Sequence, residues 1–113
     1  MKQILAVIKL NVIEQVIHLL RQLPQFTGYT MLHVHGEGRG RGLEKAWVAS
    51  EDAIDTHPHT MLLIACRDDA VDGIVNAVQT AAHTGLAGDG LILVSDVLHA
   101  TRIRTGEHNN AAL

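Results

Sequence analysis

The stretch Gly36-Glu-Gly-Arg-Gly-Arg-Gly42 separates two strand-like runs and decides how the chain can fold. Four of the ten glycines fall in these seven residues. Glycine adopts positive φ at little cost and lets backbone N–H groups approach a ligand, while the two arginines offer planar donors for phosphate or carboxylate. The pattern fits neither a helix interior nor a strand core. It predicts a long basic loop over about residues 36–57, a length that usually carries function in compact domains.

Four apolar runs on either side of this loop predict β-strands. Residues 4–8, 60–66 and 91–94 are apolar apart from Thr60, which is typical of buried strands, and residues 29–35 alternate between polar and apolar. The loop therefore connects the second predicted strand to the third.

Two stretches with helical spacing of apolar residues lie between these strands. The first follows Asn11, a candidate helix cap, and ends before Pro24. The second begins at Asp68 or Asp69 and ends near Gly85, a candidate helix-terminating glycine.

The predicted order is βαββαβ, which is typical of a ferredoxin-like α+β fold with one antiparallel sheet and both helices on one face. We expect one domain over residues 1–113, with an extended C-terminal segment over about residues 97–113. Strands one and three are apolar on both sides, so the second sheet face also needs cover. Other copies of the chain are the expected cover, and the sequence predicts an oligomer.

Composition narrows the class of protein. A net charge of −3 gives no general attraction to nucleic acid. Cys66 is the only cysteine, which excludes an internal disulfide and fits a reducing compartment. No apolar run approaches the roughly 20 residues of a membrane span, and no signal-peptide pattern is present. The sequence predicts a soluble cytoplasmic protein with no direct membrane insertion.

Six short motifs are distributed along nearly the whole chain: Met1-Lys2, Ala6-Val-Ile-Lys9, Gly36-x-Gly-Arg39, Asp68-Asp-x-Val-Asp72, Thr84-Gly-x-x-Gly-Asp-Gly90 and Arg102-Ile-Arg-Thr-Gly-Glu107. In their order and spacing, these motifs together resemble the PII signal-transduction family. The resemblance implies a homotrimer that is not an enzyme and binds ATP or ADP between subunits, often with 2-oxoglutarate and Mg²⁺. It also implies that the long loop, called the T-loop, docks on a transporter or enzyme, usually in nitrogen metabolism.

The resemblance also assigns the candidate nucleotide site. The residues that would surround the phosphates are Gly38, Arg39, Gly88, Asp89, Gly90, Arg102 and Arg104, and backbone near Val7 and Cys66 would line the base. If the C-terminal segment is extended, alternation puts Arg102 and Arg104 on one face, as a phosphate-binding pair requires. Alternatively, these arginines pair with Glu107 or Asp89 across an interface.

Four positions depart from the usual family pattern, so the chain resembles a divergent PII-like member. Gly40 replaces a glutamine, and His59 replaces a basic residue, both of which usually help to hold 2-oxoglutarate and Mg²⁺. Leu91 replaces a lysine that usually contacts phosphates, which favours ADP or AMP over ATP. Asp52 stands where many members carry a modifiable tyrosine. Binding of 2-oxoglutarate by the usual route is therefore not expected.

Eight histidines are many for 113 residues, and four of them form the pairs His33/His35 and His57/His59. Residues i and i+2 of a strand face the same side, and antiparallel neighbours could bring the two pairs together. Three or four imidazoles would suit Zn²⁺, Cu²⁺ or Ni²⁺. The alternative function is thus a metal-responsive regulator associated with metal transport. Polar surface histidines are the simpler interpretation.

The loop carries two further candidates for partner binding, Arg41 and Trp47. Tryptophan is a favoured interface anchor, so Trp47 either docks on a target or folds back onto the oligomer. Arg39 and Arg41 could also be solvated charges without an anion. An enzyme is the third alternative, but the sequence shows no positioned nucleophile and base.

Overall fold

The computed structural model describes residues 1–38 and 57–113. Its main elements are β1 (Lys2–Lys9), α1 (Ile13–Arg21), β2 (Thr30–Gly36), β3 (His57–Cys66), α2 (Val71–Ala82) and β4 (Gly90–Asp96). Short 3₁₀ turns precede both helices, at Leu10–Val12 and Asp68–Ala70, and a third lies at Asn109–Ala112. The predicted α+β order βαββαβ is confirmed, and each strand apart from β2 extends beyond its predicted apolar run.

The four strands form one antiparallel sheet in the order β2-β3-β1-β4. The central strand β1 pairs on both sides, so that Ile4 lies opposite Ile64 in β3 and opposite Val94 in β4. β1 and β3 are the interior strands, which explains why their sequences are apolar at successive positions. This strand order is that of a ferredoxin-like fold.

The hydrophobic core lies between one face of the sheet and the two helices. Even-numbered residues of the interior strands point into it and are fully buried or nearly so: Ile4, Ala6, Ile8, Leu62, Ile64 and Cys66. Val16 and Leu20 of α1 and Ile74 and Val78 of α2 complete the cluster. Burying each large aliphatic side chain stabilises the fold by about 1.5–3 kcal/mol. These side chains therefore determine which face of the sheet packs against the two helices.

Both helices begin differently from the sequence prediction. Asn11 lies inside a 3₁₀ turn, and Val12 occupies the α1 cap position without a side-chain bond. The Asp68 carboxylate accepts a hydrogen bond from the Met1 amine at 2.7 Å, which lowers the pKa of Asp68, and does not cap α2. α2 ends at Ala82, and Gly85 lies in the following turn at φ +80°.

The opposite surface of the sheet, here called the open face, carries the odd-numbered residues of β1 and β3 and their cross-strand neighbours. Leu5 and Val7 lie at its centre, and the exposed fractions of Leu32, Leu93 and Leu91 are 44%, 52% and 60%. No described element packs over these residues. The sequence predicts that strands one and three are apolar on both sides and that one side is uncovered in a single chain. The open face agrees with this prediction.

In residues 1–38 and 57–113, no helix has the length and hydropathy needed to cross a membrane.

Candidate functional site

The glycine segment, residues 84–90, is held against β1 by the Asp89 carboxylate. Asp89 Oδ2 accepts hydrogen bonds from the N–H groups of Thr84 at 2.8 Å and Gly85 at 3.0 Å, and the Thr84 hydroxyl donates to Oδ1. Lys9 Nζ lies 3.0 Å from Asp89 Oδ1 and donates to Thr84 Oγ1 at 3.1 Å. The carboxylate thus joins both ends of the segment to the end of β1.

These donors favour the ionised form of Asp89. The hydrogen bonds from Thr84 are the largest cause, and together with Lys9 and Gly85 they hold the pKa of the Asp89 carboxyl well below its ordinary range. Its oxygens are occupied by the segment itself. Asp89, predicted as a cofactor-binding residue, acts in this subunit to shape the segment that would approach a ligand.

Replacing Asp89 with asparagine is expected to destabilise the protein at neutral pH by about 1.5–3 kcal/mol, because a neutral amide loses the charge-assisted hydrogen bonds that the carboxylate accepts from Thr84, Gly85 and Lys9. Because the folded-state pKa is depressed, this contribution is present above the unfolded pKa of about 3.9 and is lost as pH falls toward the folded value. Urea unfolding should therefore show the full gap between wild type and Asp89→Asn at pH 7 and a gap that narrows progressively as pH falls below about 4. A gap that is unchanged with pH would contradict this role.

The backbone conformation at positions 88 and 90 requires glycine. Gly88 has φ +86° and Gly90 has φ +111°. A Cβ on Gly90 would overlap the carbonyl oxygen of Val7, because β4 begins here beside β1. The segment therefore lies as close to β1 as backbone atoms allow, with Leu91 following on the open face.

His59 connects the first residues of β3 to the glycine segment. Its Nε2 lies 3.1 Å from the carbonyl oxygen of Gly88, and its Nδ1 lies 3.0 Å from the carbonyl oxygen of His57. The residue opposite His59 in β1 is Lys9. Sequence reasoning did not identify His59, Lys9 or Thr84 as partners of this segment; their cross-strand register is what brings them together.

The C-terminal segment differs from the sequence prediction. Residues 103–105 form a turn, closed by hydrogen bonds from the Gly106 N–H to the Arg102 carbonyl at 2.8 Å and from the Arg102 N–H to the Glu107 carbonyl at 2.9 Å. Strand alternation therefore does not relate Arg102 to Arg104, and that part of the prediction is wrong. Both side chains are exposed, and neither forms an ion pair within residues 1–38 and 57–113.

The predicted nucleotide-binding residues fall at two ends of the sheet. Gly90 lies opposite Ile8, whereas Cys66 lies opposite Lys2 at the other end of β1. These positions are six residues apart along β1, a distance of about 20 Å. Asp96, which precedes the C-terminal segment, also lies opposite Lys2. The glycine segment and the Cys66 end therefore cannot line one small cleft within a single subunit.

Cys66 contributes its backbone rather than its thiol to any surface. The side chain is fully buried in the core, and burial raises the pKa of the Cys66 thiol. Val7 lies on the open face beside Leu91, close to the glycine segment. Gly38 follows β2 and has open space around it.

The expected meeting of the two histidine pairs is wrong. His33 and His35 lie opposite Thr60 and Pro58, on the helical face of the sheet. His59 lies opposite Val34 and His57 opposite Gly36, on the open face. Opposing residues of an antiparallel pair share a face, so the sheet separates the pairs. Within the described part of the chain, no three His, Cys, Asp or Glu residues are arranged to hold a metal ion.

The remaining site predictions concern the long loop. Arg39, Arg41 and Trp47 lie outside the described residues, as do the departures from the family pattern at Gly40 and Asp52. Of the predicted loop, the structure describes residues 36–38 and residue 57.

Two grooves lie on the helical side of the molecule. One of about 290 Å³ runs between α2 and β4 and reaches Asp89, Gly90 and Leu91. The other, of about 960 Å³, follows α1 and is lined by none of the predicted site residues. Its lining comes from α1, the end of α2 and the region of Tyr29 and Met31, and includes no residue of the glycine segment, which remains the better candidate for ligand binding.

Fold and site define a ferredoxin-like α+β protein with a long connection between β2 and β3 and a glycine segment held against β1. The sequence profile described as "Nitrogen regulatory protein P-II" matches residues 1–107. Nitrogen regulatory protein P-II of Klebsiella oxytoca and nitrogen regulatory protein P-II 1 of Escherichia coli K12 are each 38% identical over 113 residues, covering all of both chains. A Mesorhizobium japonicum protein of the same name is 36% identical over 107 residues, 95% of each chain. The chain belongs to the P-II family of regulatory signalling proteins, as the resemblance predicted.

Proposed function

We propose that this protein is a homotrimeric cytoplasmic regulator that binds an adenine nucleotide in clefts between neighbouring subunits. The main support is the division of the candidate site. The glycine segment lies at one end of β1, and Cys66 with the start of the C-terminal segment lies at the other. A nucleotide that touches both groups must bind where one end of a subunit meets the opposite end of its neighbour.

The open face supplies the surface for this assembly. Leu5 lies between Leu63 and Leu93 in a continuous apolar row, with Val7, Met61 and Leu91 in the next row. An apolar patch of this kind on a soluble protein marks an interaction surface. Burying it among three copies would cover the sheet and create three equivalent clefts.

The phosphate-binding groups of each cleft would come from both subunits. One subunit would supply backbone N–H groups around Gly88 and Gly90, and Gly38 and Arg39 are assigned to the same phosphate site. The neighbour supplies Arg102 and Arg104, whose exposed guanidinium groups have no carboxylate partner in the described part of their own chain. Charge-assisted hydrogen bonds from arginine to phosphate are the strong ones in such a site.

Among ATP, ADP and AMP, the site is expected to prefer the nucleotides with fewer phosphate groups, ADP and AMP. Leu91 is 60% exposed beside the glycine segment and adds no positive charge there. Lys9 is already paired with Asp89. The ring of His59 is engaged by two carbonyl oxygens, so it is poorly placed to hold the carboxylates of 2-oxoglutarate. We infer that neither 2-oxoglutarate nor Mg²⁺ is needed for nucleotide binding.

The output of the regulator is binding to a partner transporter or enzyme through residues 36–57, with Arg41 and Trp47 as contact residues. The relatives' names place them in nitrogen regulation, and we propose the same role here. The proposal includes no catalysis. The metal-responsive alternative is not retained, because the histidine pairs lie on opposite faces.

Calorimetric titration of the purified protein with ATP, ADP and AMP tests this function. We expect Arg102→Ala to weaken nucleotide binding by about ten- to a hundredfold, since a charged hydrogen bond to phosphate contributes about 1.5–3 kcal/mol. Arg21→Ala, which removes an exposed arginine at the end of α1, is the matched control and should bind as wild type does. Absence of binding for all three nucleotides, or equal affinities for Arg102→Ala and wild type, would contradict the proposal.

A further inference from the structure

The C-terminal segment forms a hairpin whose tip presents one apolar side chain to solvent. Ile103 lies in the turn at residues 103–105 and is 99% exposed, so it packs against no described element of its own chain. Single exposed apolar side chains are common on protein surfaces. This one differs because the hairpin holds it in a fixed position between two arginines.

Backbone hydrogen bonds order the hairpin on both sides of its tip. The Gly106 N–H donates to the Arg102 carbonyl at 2.8 Å, and the Arg102 N–H donates to the Glu107 carbonyl at 2.9 Å. Further from the tip, the Asn109 N–H donates to the Ala100 carbonyl at 2.7 Å. A side chain on an ordered support loses little conformational freedom when a partner buries it, so this tip is preorganised for binding.

The groove of about 290 Å³ between α2 and β4 has apolar walls that could receive such a tip. Its aliphatic lining includes Ile8, Val75, Val78 and Ile92. Val75 and Ile92 are only half-buried, so the groove leaves apolar surface accessible. The groove also reaches the glycine segment, because Asp89 is among its lining residues.

The charges of the groove and the tip are complementary. The described residues that line the groove include the Asp89 carboxylate and no lysine or arginine. Hydrogen bonds from Thr84 hold the pKa of Asp89 well below its ordinary range, so the carboxylate is ionised. Its ion-pair partner Lys9 does not line the groove. The tip carries the exposed guanidinium groups of Arg102 and Arg104 on either side of its isoleucine.

We propose that the hairpin tip of one copy of the chain docks in the groove between α2 and β4 of a second copy. Ile103 packs against the apolar walls, and Arg102 and Arg104 lie beside the glycine segment of that copy. The tip is not seated in its own groove, since Ile103 is fully exposed. The inference rests on the oligomer of the proposed function and adds Ile103 to it, as the residue that positions both arginines.

Cysteine crosslinking of the nucleotide-free protein tests this contact. Thr105→Cys places a thiol on the tip and keeps Ile103, and Gln79→Cys places a second thiol on an exposed residue of the groove. The native Cys66 is fully buried and should not react. We expect a short bismaleimide to link neighbouring subunits of this double variant, so that denaturing gels show covalent dimers and trimers.

Three matched proteins show whether the link depends on docking. Thr105→Cys/Gln15→Cys places the second thiol in the other groove, along α1, and should crosslink about tenfold more slowly or not at all. Adding Ile103→Asp to Thr105→Cys/Gln79→Cys should slow crosslinking about tenfold or more, because a carboxylate replaces a buried aliphatic side chain. Ile103→Leu retains an apolar side chain and should crosslink nearly as fast as the parent protein.

Light scattering on the same samples separates this inference from the proposed function. The docking is overturned if a trimer forms but the thiols at 105 and 79 do not link its subunits. It is also overturned if Gln15→Cys serves as well as Gln79→Cys, or if Ile103→Asp does not slow the reaction. These results would leave the nucleotide site intact, whereas a monomeric mass would contradict both. Fast crosslinking that Ile103→Asp suppresses supports the docking even if no nucleotide binds.

Discussion

Gly90→Ala is expected to destabilise the protein by about 3 kcal/mol or more. A side chain at φ +111° costs about 1–2 kcal/mol, and relieving the overlap of its Cβ with the Val7 carbonyl adds the cost of displacing backbone in a paired strand. The β1–β4 pairing begins at this point, so the start of β4 must separate from β1. Urea unfolding, followed by circular dichroism at one fixed protein concentration, measures the loss.

Gly73→Ala is the matched control for this substitution. Gly73 lies inside α2, and a Cβ there would have open space around it. Alanine favours the helix by up to about 1 kcal/mol over glycine, so this variant should be as stable as wild type or more stable. A Gly90→Ala protein within about 0.5 kcal/mol of wild type would show that the glycine segment does not lie where the structure has it.

Leu5→Glu is expected to convert the trimer into monomers. Leu5 is at the centre of the open face, with Leu63 on one side and Leu93 on the other. In the proposed assembly each copy would bury an unpaired carboxylate, which costs several kcal/mol per ion. Light scattering coupled to size-exclusion chromatography gives the molar mass before and after the change.

Leu10→Glu provides the comparison for this experiment. Leu10 is 42% exposed in the 3₁₀ turn after β1 and is not on the open face. The same added charge at this position should leave the molar mass unchanged. If Leu5→Glu keeps the wild-type mass while folded, the open face is not the surface that joins the subunits.

The sequence predicts the fold well because its signals are local. The apolar runs of β1 and β3 and the helical spacing in α1 and α2 report burial on the helical face. The helix starts were predicted less well. Asn11 and Asp68 are good capping residues by type, yet 3₁₀ turns precede both helices, and Asp68 bonds the chain's first amino group instead. A tertiary contact of that kind leaves no pattern in the neighbouring residues.

The candidate site was predicted as a set of residues but not as a geometry. The glycines at the end of the Thr84-to-Gly90 motif have a backbone reason, because positive φ at Gly88 and Gly90 selects glycine. The sequence predicted that the two histidine pairs meet, and this was wrong. Residue spacing shows that the two members of each pair share one face of a strand, but it does not give the register between β2 and β3. Only the register, with His35 opposite Pro58, shows that the pairs face opposite ways.

The separation of the glycine segment from Cys66 could not be read from the sequence for the same reason. The resemblance named both as parts of one nucleotide site, and strand pairing places them about 20 Å apart along β1. Because of this distance, the proposed site requires residues from two subunits, whereas the sequence only suggested an oligomer. The His59 contacts, with Lys9 across the strand, likewise depend on register.

The most direct test of the central claim combines two defective subunits in one trimer. One copy carries Gly38→Glu, which has open space for the side chain and adds a carboxylate at a residue that the proposal assigns to the phosphate site together with the glycine segment. The other carries Arg102→Ala. The two are co-expressed with different affinity tags and purified in sequence through both, so that every trimer contains both kinds of subunit.

Calorimetric titration of these mixed trimers with ADP then counts the intact clefts. If each cleft joins the glycine segment of one subunit to Arg102 of its neighbour, about one tight site per trimer is restored, although neither variant binds tightly alone. If the glycine segment and Arg102 act within the same subunit, every cleft remains defective. Mixed trimers without a tight site would contradict a nucleotide cleft shared between neighbouring subunits.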